Sequence, residues 1–194
     1  GLEPTTDMNP ILLKPNSHLG AQVIVNGKVW RDLSATAYGE HFHLPLGHVL
    51  DAYQRLAHQY EFIVIEGAGS VAEINLRCRD LVNFGLACRI GSPALLVADI
   101  DRGGVFASLI GSFSLLQQEE SRLVRSFAVN RFRGDRSLFS NGVDFLEKQT
   151  ERPCLGVLPA RNDLHLDEED GVSLEGKGAI GAQIGAERLL APRA

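Results

Sequence analysis

The chain has 194 residues, 44% of them hydrophobic and 22% charged, with a formal net charge of -5 at pH 7. That length and composition suit one globular domain with a real core, and the acidic balance weighs against a general nucleic-acid binder. No apolar stretch approaches the ~20 residues needed to span a bilayer, so no membrane partner is expected.

In chain order, Gln22-Val23-Ile24-Val25, Asn26-Gly27 and Lys28-Val29-Trp30 predict a β-hairpin. Asn-Gly supplies the two positive φ angles of a type I′ turn. Val49, Tyr53, Leu56 and Tyr60 recur at helical spacing and predict a helix from Leu46 to Tyr60. Phe62-Ile63-Val64-Ile65 is a continuous β-branched and aromatic run, and it predicts a buried strand ending at Glu66-Gly67-Ala68-Gly69. A helix is expected from Asp80 to Ile90, with Asp80 as its N-cap. Ala94 to Ala98 predicts a second strand, ending at Asp99-Ile100-Asp101-Arg102-Gly103-Gly104, and Val105 to Leu116 a third helix. Phe127-Ala128-Val129 predicts a third strand ending at Asn130, Val143 to Gln149 a short helix, and Cys154 to Leu158 a fourth strand ending at Pro159. From Asp167 onward the chain turns acidic and then rich in glycine and alanine, like a linker or a poorly ordered end.

Apolar strands without polar alternation are buried on both faces, the habit of a parallel sheet. The expected class is therefore α/β, a mostly parallel sheet with flanking helices. Ligands of such sheets bind outside the carboxyl ends of the strands. Four polar, glycine-containing loops fall at those ends: Glu66 to Ser70, Asp99 to Gly104, Asn130 to Asp135 and Leu158 to Asn162.

Each loop has a functional and a bland reading. Glu66 before Gly-x-Gly suits Mg²⁺ beside a phosphate, or it is a solvated residue in a turn. Asp99, Asp101 and Arg102 ahead of Gly103-Gly104 suit metal, phosphate or carboxylate. Alternatively Asp101 caps the helix and Asp99 pairs with Arg102. Asn130 can meet the edge of an adenine ring, and Arg131 and Arg133 can meet phosphate or carboxylate; an Asx-turn competes for Asn130. Glu73, Asn75 and Asp80 form a further polar cluster, each with a turn or cap as the simpler reading. His41, His43 and His48 complete no familiar metal spacing and read as a solvated loop. Cys78, Cys88 and Cys154, without C-x-x-C spacing, read as free thiols, and with no signal-peptide pattern a cytoplasmic location is expected. No G-x-S-x-G occurs, so nucleophilic hydrolase readings lack support, and no G-x-x-x-x-G-K-S/T phosphate loop occurs either.

The blocks Asp7-Met8-Asn9-Pro10, Leu13-Lys14-Pro15-Asn16-Ser17, Glu66-Gly67-Ala68-Gly69-Ser70, Ala72-Glu73-Ile74-Asn75-Leu76, Asp80-x-Val82-Asn83, Val97 to Ser108, Asn130 to Asp135 and Leu155 to Pro159 follow in one order. Together they resemble the cobyric acid synthases, glutamine-dependent ligases of cobalamin biosynthesis, over about residues 1 to 174. The resemblance implies a P-loop NTPase-like synthetase domain, similar to dethiobiotin synthetase, that uses ATP and Mg²⁺. It implies amidation of the b, d, e and g carboxylates of adenosylcobyrinic acid a,c-diamide through acyl phosphates. Ammonia would come from a glutamine amidotransferase domain, and the partner is a corrinoid.

By motif, Glu66 and Asp99 resemble metal-binding acids. Asn130 and Arg131 resemble nucleotide contacts, with Leu158 and Pro159 packing near the base. Lys14, Asp99, Asp101 and Arg102 are the catalytic candidates, and Asn9, Glu73, Asn75 and Arg133 the substrate contacts. The departures from the family pattern are the absent phosphate loop with its strand, and the absent amidotransferase domain. With Gly1 in place of Met they imply a central fragment, with residues 175–194 as a linker or disordered tail. Such a fragment is expected to be inactive alone. A related enzyme such as cobyrinic acid a,c-diamide synthase and a non-catalytic paralogue are the alternatives.

Overall fold

Asn26 and Gly27 turn the chain with φ of 48° and 76°, the left-handed pair that a two-residue type I′ hairpin requires. They join β2 (Gly20–Val25) to β3 (Lys28–Ser34), with Val25 opposite Lys28 across the turn. The computed structural model describes residues 2–17, 20–34, 43–77, 80–161 and 163. It divides into two units, Gly1–Pro159 and Ala160–Ala194. The expected boundary near residue 174 and the expected tail lie outside the described residues.

The hairpin is as the sequence predicts, but a third strand joins it. β1 (Ile11–Ser17) pairs antiparallel with β2, Ile11 opposite Val25 and Lys14 opposite Gln22. Pro15 lies in this strand, and the register slips between Pro15 and Ser17. A strand with one neighbour tolerates a residue that cannot donate to a ladder. Val23 at the centre of the sheet is fully buried. Gly27→Ala should destabilise by about 1–2 kcal/mol through the left-handed φ. The added Cβ would also lie 3.0 Å from Thr6 Cγ2. A thermal melt by circular dichroism checks it, and an unchanged midpoint would mean that the turn is not held in this form.

Helix α1 (His43–Gln59) starts three residues before the predicted Leu46–Tyr60 segment and ends one residue short of it. Its Leu46 and Leu50 pack with Leu81 and with Ile11 of β1, which brings the antiparallel sheet, α1 and the turn before the next helix into one apolar cluster. Arg55 on the same helix grips Asp7 with two hydrogen bonds, Nε to Oδ2 at 2.9 Å and Nη2 to Oδ1 at 2.7 Å.

The parallel sheet contains β4 (Ala94–Asp99), β5 (Val124–Phe132) and β6 (Cys154–Pro159), in the order β4-β5-β6. One face is packed by α3 (Val105–Leu115) and α5 (Ser140–Thr150). There Phe127 and Val129 of β5 meet Ala98, Val105, Leu109 and Leu146, all buried. Two short helices, α2 (Phe84–Ile90) and α4 (Gln118–Leu123), lie against each other, and α4 runs directly into β5. Among the described residues no helix is long and apolar enough to cross a membrane.

One expected strand does not form. Phe62 to Ile65 is assigned to no helix or strand and joins no ladder among the described residues. Phe62 is 84% and Val64 82% exposed. An apolar run becomes a strand only where a neighbour takes its backbone groups, and no described strand does so. β4 is an end strand for the same reason, and its Leu95 and Val97 remain about half exposed. The parallel sheet of the described residues thus has three strands where four were expected.

Candidate functional site

The ladder sets Asp99, the last residue of β4, directly opposite Asn130 of β5. The carbonyl of Asn130 also accepts the N–H of Ile100 at 3.1 Å, so the two strand ends leave the sheet side by side. Pro159 at the end of β6 is opposite Phe132. Three of the four predicted loops therefore do emerge along one edge.

At that edge two acids and two arginines form a closed network. Arg131 reaches across from β5, Nη1 to Asp99 Oδ2 at 3.2 Å and Nη2 to Asp101 Oδ2 at 2.7 Å. Arg133 binds the same carboxylate, Nε to Asp101 Oδ1 at 2.6 Å and Nη2 to Oδ2 at 3.4 Å. Asp101 thus holds two guanidiniums at once. The Arg133 hydrogen bond, against the opposing effect of burial and helped by the nearby charges of Arg133 and Arg131, keeps its carboxyl below the usual carboxylate range. Asp101 in turn raises Arg133 further into its charged form. Arg131 takes a φ of 62°, a strained value for a non-glycine residue and one that recurs at functional sites.

The bland alternatives divide. Asp101 does not cap α3, whose N-cap is Gly104 with no side-chain hydrogen bond. Asp99 pairs with Arg131 rather than with Arg102, and Arg102 is exposed with no ion pair among the described residues. Asn130 does turn back on its own chain, its Oδ1 accepting the N–H of Arg131 at 2.9 Å. Its amide nitrogen stays without a partner among the described residues. Leu158, half exposed, sits one residue before the ladder pair of Pro159 and Phe132.

Beneath the edge lies an aromatic group with no marker in the sequence. Phe139 packs on Phe132 and Phe106, with centroids 5.3 and 5.6 Å apart, and Phe106 also meets Phe145. It ties the Arg131–Arg133 segment to α3 and α5. Asp135 turns the following chain by accepting the N–H of Ser137 at 2.9 Å, and that backbone bond lowers its pKa.

The fourth loop is ordered from a different direction. Asn83 donates its Nδ2 to the carbonyl of Ala68 at 2.9 Å. Asp80, the expected N-cap, is not adjacent to the helix; its carboxylate instead accepts the N–H groups of Val82, Asn83 and Gly85 at 3.0, 2.7 and 2.9 Å. Glu66 is exposed and carries no hydrogen bond or ion pair among the described residues. Asn9, Lys14, Glu73 and Asn75 are exposed too. No side-chain hydrogen bond or ion pair links these four or Glu66 to the β4–β5 network among the described residues.

No three His, Cys, Asp or Glu groups come together as metal ligands among the described residues. Mg²⁺ commonly takes one or two protein carboxylates and fills its shell with water and phosphate oxygens. The free carboxylate of Glu66 fits that requirement. Asp99 has both oxygens engaged, Oδ1 by the N–H of Asp101 at 2.8 Å and Oδ2 by Arg131, so it would have to release one to bind metal. Cys88 and Cys154 are free thiols, with pKa values pushed up mainly by burial. Cys78, His41, and the side chain of His43 fall outside the described residues, as does Asn162.

The family model for the AAA domain matches residues 28–167. A curated cobyric acid synthase from a Marinomonas species is 53% identical over 173 residues, which is 89% of this chain and 35% of that protein. The cobyric acid synthase of Shewanella oneidensis is 52% identical over 177 residues, again 89% of this chain and 35% of the relative. The chain therefore spans about a third of the length of the curated relatives it matches. No solved structure matches it. The chain belongs to the AAA domain family, P-loop-like in its α/β fold, and it is similar along most of its length to one stretch of the cobyric acid synthases.

Proposed function

We propose that this chain is part of the synthetase domain of a cobyric acid synthase, an ATP-dependent ligase of cobalamin biosynthesis that amidates carboxylates of a corrinoid. The observation that carries the reading is the paired network of Asp99, Asp101, Arg131 and Arg133 at the carboxyl ends of β4 and β5. The identity of more than half to two cobyric acid synthases supports it.

A carboxylate is a poor electrophile because its leaving group would be an oxide. Transfer of a phosphoryl group from ATP to one carboxylate oxygen makes an acyl phosphate. Ammonia then adds to the carbonyl carbon, phosphate leaves, and the amide remains. The b, d, e and g carboxylates of adenosylcobyrinic acid a,c-diamide are the proposed substrates, with ammonia from a glutamine amidotransferase domain. Two anions must meet in the first step, so fixed cations are the main requirement. Arg131 and Arg133 supply them, and Asp101 keeps both from collapsing onto other anions. Arg133 faces the substrate carboxylate and Arg131 the nucleotide phosphates. Asn130 offers its free amide nitrogen to the adenine edge, with Leu158 and Pro159 alongside. Glu66 would hold Mg²⁺, which offsets phosphate charge when bound. Lys14, Arg102, Asn9, Glu73 and Asn75 are assigned as further phosphate and substrate contacts on the strength of the motif alone. The half-exposed apolar edge of β4 and the unpaired Phe62–Ile65 run support a sheet that continues past β4. Residues 1–194 by themselves are accordingly proposed to be inactive.

Glu66→Gln, made in a full-length synthase carrying this sequence, tests the reading. It should cut ATP- and glutamine-dependent amidation by at least about 100-fold with an unchanged melting profile. Wild-type turnover in that variant would remove Glu66 from the site.

A further inference from the structure

The Glu66 loop is gripped from behind by a single side chain. Asn83 precedes α2, and its backbone carbonyl accepts the N–H groups of Leu86 and Ala87 at 3.2 and 3.0 Å. Its own N–H is held by Asp80 Oδ1 at 2.7 Å. The backbone of Asn83 is therefore anchored on both sides, and its amide is aimed at the Gly67–Ala68 backbone. The Nδ2 group donates to Ala68 at 2.9 Å. The Oδ1 atom approaches Gly67 so closely that a Cβ there would lie 2.0 Å from it. Gly67 is thus the residue that lets the amide lie against the loop, while Gly69 turns away with a φ of 68° into open space. Nothing else among the described residues hydrogen-bonds to Glu66, Gly67 or Ala68.

We propose that Asn83 is the positioning residue for Glu66: its amide clamps Gly67 and Ala68 to the start of α2 and so fixes the direction of the carboxylate one residue earlier. The inference rests on the proposed role of Glu66 and deepens it. A loop of Glu-Gly-Ala-Gly has two glycines and would otherwise sample many directions. A metal-binding carboxylate loses affinity when the groups that orient it are removed, commonly by 10- to 100-fold.

The experiment has two arms. In the 194-residue chain, backbone ¹⁵N relaxation measured by NMR is compared for wild type, Asn83→Ala and Asn83→Asp. Asn83→Asp keeps the shape but replaces the donor with a carboxylate facing the Ala68 carbonyl. Backbone order parameters at Gly67, Ala68 and Gly69 should fall from the rigid range of about 0.85 to below about 0.6, while those of Leu109, Phe127 and Val129 in the core stay unchanged. Gly67→Ala should release the same loop, yet add nothing further on the Asn83→Ala background, where the amide it collides with is gone. Unchanged loop order parameters in both Asn83 variants, or a Gly67→Ala effect that persists without Asn83, overturns the clamp. That cycle also keeps the test decisive if Asn83→Asp fails to fold. In the full-length synthase, Asn83→Ala should raise the Mg²⁺ concentration for half-activation by about 10-fold or more and leave the KM for glutamine unchanged. An unchanged Mg²⁺ requirement alongside an inactive Glu66→Gln variant overturns the positioning role and leaves Glu66 in the site. Full activity of Glu66→Gln with a freed loop in Asn83→Ala instead removes the functional reading and, with it, the purpose of the clamp.

Discussion

Phe127→Ala should cost about 3–5 kcal/mol, the range for deleting a fully buried phenyl ring. Phe127 is 0% exposed and sits in the middle strand of the parallel sheet, with β4 on one side and β6 on the other. Its ring fills the space between the sheet and the two helices α3 and α5, against Val105, Leu109 and Leu146. Neither wall can close the gap. The strands are spaced by their ladders, and the helices are held apart by Phe106, Phe139 and Phe145. The penalty therefore includes a cavity as well as lost transfer energy. Domains of this size are stable by only about 5–15 kcal/mol, so much of the cooperative unfolding in urea should shift to lower concentration. A loss under about 1 kcal/mol would mean that the packing around β5 is looser than the burial indicates. The functional effect follows from the same geometry. Asn130, Arg131 and Phe132 continue the strand that Phe127 anchors, so the variant should lose the order of the arginine network before it loses the hairpin at Asn26-Gly27.

Why some of this architecture can be read from residues and some cannot has a physical basis. Ala94 to Ala98 and Cys154 to Leu158 are short apolar runs that find partners, and they are strands. Phe62 to Ile65 is the same kind of run, yet it pairs with nothing described, because a strand is a relation between two segments and composition records only one. β1 shows the converse. Leu13-Lys14-Pro15-Asn16 carries a proline and polar residues that argue against a strand, but an edge position beside β2 accepts them. The Asn26-Gly27 turn needed no such context, since the φ angles belong to those two residues. The same division runs through the site. Asp99, Asp101, Arg131 and Arg133 stand out as charged residues after apolar runs. That they bind one another is set by the β4–β5 register, which places Asp99 beside Asn130. Asp80 reads as the N-cap, but Asn83 holds that position and Asp80 instead accepts the N–H groups of Val82, Asn83 and Gly85 from three residues before it. Asn83 belongs to the Asp80-x-Val82-Asn83 block with no role attached to it, and the space left by Gly67 exposes its part.

Asp101→Asn should lower kcat/KM of the full-length synthase for its carboxylate substrate by about 100-fold, the scale on which misplacing a positioning group by an ångström acts. Asp101 touches both arginines and so acts through them. Arg131 keeps a second partner in Asp99 at 3.2 Å, whereas Arg133 has only Asp101 among the described residues. The loss should therefore fall on Arg133. Adding Arg133→Gln to Asp101→Asn should then cost less than about threefold more, although Arg133→Gln alone is severe, since residues acting as one unit are not additive. The pH dependence offers a second check. The carboxyl of Asp101 is held below its ordinary value of about 4, first by the Arg133 hydrogen bond. A depressed pKa means that the bridge is intact above the ordinary value and is lost only as pH falls through the lower, folded one. Between pH 5 and 8, above both the ordinary value and the lowered one, the contribution of Asp101 should be flat in the wild type, and the deficit of Asp101→Asn constant. A deficit that grows or vanishes across that interval would show that Asp101 exchanges a proton during turnover. Two independent, multiplying losses would show that it does not work through Arg133.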